Sequence, residues 1–84
     1  MLTHQVIVEC TYHPPATPEH IARDVARVRQ CLVTREIEHV TVYAAANGRR
    51  VIHVLAAHDA ESARNGFRSA GVAFDGAWLT VART

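Results

Sequence analysis

The stretch Val40–Ala56, VTVYAAANGRRVIHVLA, decides the fold. It reads as two strands around Asn47-Gly48, a dipeptide suited to the positive φ of hairpin turns. One residue does not fit: His53 interrupts an otherwise apolar run. On the first strand Val40, Val42 and Ala44 alternate with His39, Thr41 and Tyr43. On the second, Ile52, Val54 and Ala56 alternate with Val51, His53 and Leu55. If the purely apolar sets face a core, Val42 must share a face with Ile52 and Val54, because a slip of one residue inverts every side chain. A two-residue Asn-Gly loop pairs Val42 with His53 and sets the faces in contradiction. A three-residue loop, Ala46-Asn47-Gly48, pairs Ala45 with Arg49 and Thr41 with His53. It also gives Gly48 the left-handed position of a bulged turn. His53 is therefore expected on the face turned away from the core.

The flanking sequence supplies the remaining elements. Gln5–Tyr12 alternates Val6, Val8 and Cys10 against Gln5, Ile7, Glu9 and Thr11, a strand pattern. Pro14 and Pro15 end it. Thr17-Pro18 starts a helix with a hydroxyl cap and proline at the first turn, and Glu19 suits the N-terminal dipole. Ile21, Val25, Val28 and Leu32 form one apolar stripe, so the helix runs to Leu32 or Val33. Strands follow over Glu38–Ala45 and Arg50–Ala57. Asp59 caps a second helix, Ala60–Ala70, with Ala63, Phe67 and Ala70 inward and Gly71 as its stop. Ala77–Ala82 is the last strand.

This order, β-α-β-β-α-β, with one hairpin and two helical crossovers, points to an α+β fold of the ferredoxin-like βαββαβ split type. It has a four-stranded antiparallel sheet in the order 4-1-3-2 and both helices on one face. The whole chain of 84 residues makes a single domain. The other sheet face is bare, and a bare face on so small a domain calls for a second subunit or a ligand.

Composition excludes several classes. Net charge is +1, with nine arginines spread along the chain and no lysine, so no basic stripe for nucleic acid appears. There is no long apolar run for a membrane span and no basic n-region of a signal peptide, so a cytoplasmic location is expected. Cys10 and Cys31 lack a CxxC spacing and read as free thiols. Six histidines stand out, yet no two have helical metal-site spacing, so any site must be assembled by the fold.

The expected open face carries Ile7, Glu9, Thr11, His39, Thr41, Tyr43, Val51, His53, Leu55, Trp78 and Thr80. His53, His39 and Glu9 are the candidate metal or ligand-binding residues. Thr41, Tyr43, Trp78 and Arg64 are candidate pocket-lining residues. An imidazole pair with a carboxylate suits a divalent transition metal, which needs three or four ligands, some from water or a partner subunit. Glu9 beside His53 also makes an acid/base couple for a small enzyme on a dimeric α+β barrel. A face consumed by a partner makes an interaction module. Strand 1 and strand 3 lack the aromatic pattern of an RNA-binding sheet. All three site readings need His53 on the open face; packing beneath the helices removes them. Against each stands a plainer reading: histidines as interface or hydrogen-bonding residues, Tyr43 and Trp78 as interface aromatics, and Arg64 as a solvated or salt-bridged side chain.

The segments VIVEC, VYAAANGRRVIHVLAAHDAESAR and RSAGVAFDGAW resemble the small ferredoxin-like domains of unknown function that include the actinobacterial nickel-responsive, nickel-binding proteins. The matching features are the aromatic ending strand 2, the turn, the acid-Ala-Glu helix start, Arg64, and the Ala70-Gly71 stop. The resemblance implies a small homodimer, with Ni²⁺ or another divalent transition metal as its cofactor. Relatives often carry cysteine where this chain has His53. They often carry histidine where it has Thr41 and Gly66.

Overall fold

The computed structural model describes residues 4–81. Six elements follow one another: β1 (His4–Thr11), α1 (Pro18–Val33), β2 (Glu38–Ala44), β3 (Arg50–Ala57), α2 (Ala60–Ala70) and β4 (Gly76–Leu79). All strand pairs are antiparallel, in the order β2-β3-β1-β4, which is the expected ferredoxin-like sheet. The last strand is shorter than expected, and Ala82 lies outside the described residues.

Local chemistry explains the helix ends. The Thr17 hydroxyl accepts from the His20 N–H at 3.1 Å, and Pro18 opens α1 at no hydrogen-bond cost. Asp59 caps α2 by accepting from the Ser62 N–H. Gly71 closes α2 at φ +70; its N–H donates to Arg68, and the Val72 N–H reaches back to Phe67, a Schellman ending. Both helices lie on one side of the sheet. Between them and the strands sit Val6, Val8, Val28, Leu32, Leu55 and Phe67, none of them exposed.

The hairpin departs from expectation. Ala45 and Arg50 are the last hydrogen-bonded pair, and four residues, Ala46–Arg49, form the loop. The Gly48 N–H donates to the Ala45 carbonyl at 2.9 Å, and Gly48 takes φ +74. A β-carbon there would collide with the Ala16 carbonyl, so glycine is needed for space as well as for conformation. The register is therefore the one the face argument rejects: Val42 pairs with His53, Tyr43 with Ile52, and Ala44 with Val51. The contradiction between faces is resolved further along β2. Glu38 and His39 pair one residue out of step with Thr41–Ala44, so a bulge at Val40 absorbs the shift. Val40 turns outward, nearly half exposed.

The inward face of β3 is consequently Val51, His53, Leu55 and Ala57, each buried. On β1 the partners of His53, Leu55 and Val51 are Val8, Val6 and Cys10, all buried. Ile52, Val54 and Ala56, expected inside, lie on the uncovered face and are half-buried. The placement of His39, Val51, His53 and Leu55 on the open face is thus corrected. Ile7, Glu9, Thr41, Tyr43 and Trp78 lie on that face as expected.

Candidate functional site

Of the expected site residues, the fold brings His39 and His53 together and separates them from Glu9. His53 is wholly buried under the helices, with its ring set edge-on to Phe67 at 4.9 Å between centroids. His39 Nε2 and His53 Nδ1 lie 2.9 Å apart and share one hydrogen bond. Burial lowers the pKa of both; the charge of Arg29 adds to this at each, and the proximity of His39 acts further on His53. His53 is pushed down to about 4. Both rings are therefore neutral at pH 7, and one can donate to the other. The outer nitrogens, His39 Nδ1 and His53 Nε2, are buried without a hydrogen-bond partner among the described residues.

Glu9 lies across the sheet from this pair. It belongs to the uncovered face, where its carboxylate is held by the Arg50 guanidinium. The expected Glu9–His53 acid/base couple is not assembled, because neighbouring strands place the two side chains on opposite faces. Thr41 is half-buried on the open face, and Tyr43 and Trp78 are 64% and 44% exposed there. Arg64 fastens α2 to β4, donating to the Ala77 carbonyl at 2.6 Å and pairing with Glu61 at 3.2 Å.

The donor set does not fit a resident divalent ion. His39 and His53 give two nitrogens, Glu9 is behind the sheet, and no three His, Cys, Asp or Glu side chains converge among the described residues. A closed or catalytic site needs at least three protein ligands. Position 66 has no room for a further one: a β-carbon on Gly66 would lie 2.6 Å from Leu32 Cδ2, where α1 and α2 pack together. The same contact explains the glycine.

Two concavities were not visible as sites in the sequence. The first is an apolar groove of about 600 Å³ between α1 and the β2–β3 hairpin. Ile21, Val25 and Ala26 form its helix wall, and Val42 and Ala44 its strand wall. The end near the turn is closed by Ala16 and Gly48, joined by a 2.8 Å backbone hydrogen bond. Arg29 is the one charged residue of the lining, and among the described residues it makes no salt bridge. The groove exists because β2 is an edge strand and α1 lies over its margin. A sequence signal was present: Ala22, Ala26, Ala44, Ala45 and Ala46 supply little volume where the two elements meet.

The second lies between the β1–α1 connection and Gly71–Ala73, with a volume of about 400 Å³. Its centre is Asp24, buried on the apolar stripe of α1. Tyr12 Oη donates to Asp24 Oδ2 at 2.7 Å, His20 Nε2 lies at 3.4 Å, and Arg27 at 3.6 Å. Burial and the hydrogen bond to Asp24 raise the Tyr12 pKa. An acid three residues after Ile21 and four before Val28 was the legible clue. The carboxylate has partners on three sides, which makes this cluster a fastening between β1 and α1.

Comparison with known proteins adds the fold and nothing about chemistry. No family model matches the chain, and no curated protein does. Among solved structures, the crystal structure of SCO4226 from Streptomyces coelicolor A3(2) is similar, with a TM-score of 0.84 at 9% identity. The likeness covers 95% of this chain and 99% of that one. At this identity it speaks for shared architecture alone.

Proposed function

We propose that the chain is a small, non-catalytic binding domain whose ligand site is the groove between α1 and β2. Its ligand is an apolar organic molecule bearing one anionic group. The observation that carries this reading is the groove itself. Its volume falls in the range of roughly 300–1,000 Å³ usual for small-molecule sites, and an apolar lining with a few polar groups is what such sites use. Arg29, uncompensated at its margin, favours a carboxylate. The ligand thus sits beneath the edge of the sheet, one layer away from the open face.

The open face has a different role in this reading. Ile7, Ile52 and Val54, flanked by Tyr43 and Trp78, make an apolar surface suited to a second copy of the chain. We therefore read the protein as a homodimer. The nickel expectation retains two imidazoles and no convergent third ligand among the described residues, and no chemistry is assigned through a metal. The free thiols Cys10 and Cys31 suit a reducing, cytoplasmic setting. No helix among the described residues is long and apolar enough to cross a membrane.

Calorimetric titration with decanoate tests the groove. Saturable binding is expected, weakened about three- to tenfold by Arg29→Ala, the range of an exposed to partly desolvated ion contact. Val42→Trp, which fills the groove, should abolish it. Decanoate binding that ignores both substitutions would overturn the reading.

A further inference from the structure

The groove has a feature that a site for small acids does not need. One of its walls is the free edge of a β-sheet. The Ala45 N–H donates to the Arg50 carbonyl, so Ala45, Tyr43 and Thr41 direct their backbone groups toward β3. Alternation then directs the N–H and C=O groups of Val42 and Ala44 outward, away from the sheet. These are the two residues of β2 whose side chains line the groove. Unpaired strand groups and apolar floor therefore face the same space. The bulge at Val40 ends the regular edge on one side, and the turn ends it on the other. What remains is a short docking edge beside a helix.

Charge gives the edge a direction. α1 runs antiparallel to β2, because the short turn after Val33 leads directly into Glu38. Arg29, late in α1, lies beside the first half of β2, and Ala16 and Gly48 close the groove beside its end. The uncompensated cation is thus at the open end and the wall is at the turn.

We propose that the groove receives the C-terminal segment of a partner protein as an added strand, antiparallel to β2, with its terminal carboxylate at Arg29 and two alternate apolar side chains in the groove. This rests on the reading of the groove as the ligand site and names the class of ligand. A strand entering with its carboxylate at Arg29 travels from the turn toward the start of β2, opposite to β2 itself. The residues opposite Ala44 and Val42 then exchange paired backbone hydrogen bonds with them. Side chains at those two positions share a face and drop between Ile21, Val25 and Val42. Main-chain bonds supply affinity without regard to sequence, and the apolar groove supplies selectivity. The intervening residue points to solvent, so it is free to be polar.

A library of C-terminally displayed pentapeptides panned against the full chain reads the pattern. The expected enrichment is for apolar residues at the last and third-from-last positions. The best peptide is then titrated in three forms: free acid, C-terminal amide, and N-methylated at the residue placed opposite Ala44. Amidation should weaken binding about fivefold, as loss of one ion contact does. N-methylation should abolish it, because it removes the donor to the Ala44 carbonyl and adds bulk at the edge. Decanoate should compete with the free acid. If decanoate binds through Arg29 and no alternating peptide is enriched, or if amide and N-methyl forms bind like the acid, the strand proposal fails and the small-acid reading stands. If neither decanoate nor peptide binds, both fail.

Discussion

The two faces of this sheet are made from nearly the same kinds of residue and end in different environments. The covered face carries Val6, Val8, Cys10, Val51, Leu55 and the histidines His39 and His53. The open face carries Ile7, Ile52, Val54, Tyr43, Trp78 and one glutamate. Hydrophobicity does not separate them: each face of β3 is apolar but for one side chain, His53 on the covered face and Arg50 on the open one. What separates them is partnership. His53 enters the core because His39, on the next strand, shares its proton. Glu9 stays outside because Arg50 meets it there. One hydrogen bond joins the two rings while one nitrogen of each stays unpartnered among the described residues, and the cost of burying them is reduced by holding them neutral.

The sharpest way to break this comparison is at the core. Phe67→Ala removes the ring that packs on His53 and should cost about 3–5 kcal/mol, with urea unfolding as the readout. A smaller loss would mean that the covered face is loosely packed. His53→Ala empties a fully buried site and strands His39, and about 2–4 kcal/mol is expected. On the open face, Tyr43→Ala should change the stability of the monomer by no more than about 0.5 kcal/mol. Equal losses at positions 43 and 53 would erase the distinction between the faces.

Acid offers a second route. His53 has a folded pKa of about 4, below the ordinary 6.5. The unfolded chain therefore takes up a proton more readily than the folded one. Its contribution is fully present above about pH 6.5 and is lost as pH falls toward 4, by up to on the order of 3 kcal/mol. Unfolding free energies at pH 7, 5.5 and 4.5 should show this decline. His53→Leu should flatten it in that window. A decline that survives the substitution would assign it to other groups.

The smallest expected effect is that of metal. With two imidazoles and no convergent third ligand among the described residues, Ni²⁺ in excess should leave the melting temperature unchanged in the parent chain and in His53→Ala alike. A rise that His53→Ala removes would restore the nickel reading.

Much of this architecture was legible. Thr17-Pro18, Asp59 and Gly71 announced their helix boundaries, and the element order led to the strand order. The faces of β3 were not legible, for a physical reason. Both alternating sets on β3 are apolar, so the pattern was ambiguous, and a lone histidine tipped it the wrong way. Two facts were missing: the partner His39 and the bulge at Val40, which lets His39 and Val42 share one face. A bulge leaves no composition signal in a strand such as Glu38–Ala44, where Val40, Thr41 and Val42 are all β-branched. The groove escaped notice for a similar reason, since alanines announce small volume but not where two elements diverge. Asp24 was the readable exception, an acid set into an apolar stripe.

The central proposal is that the binding surface of this domain is the groove between α1 and β2, and not the face of the sheet. Amide chemical-shift mapping with decanoate tests it directly. Perturbations are expected only at Ile21, Val25, Arg29, Val42 and Ala44, with Ile7, Glu9 and Trp78 unmoved. Perturbations centred on Ile7, Glu9 and Trp78, with the α1 amides silent, would contradict it.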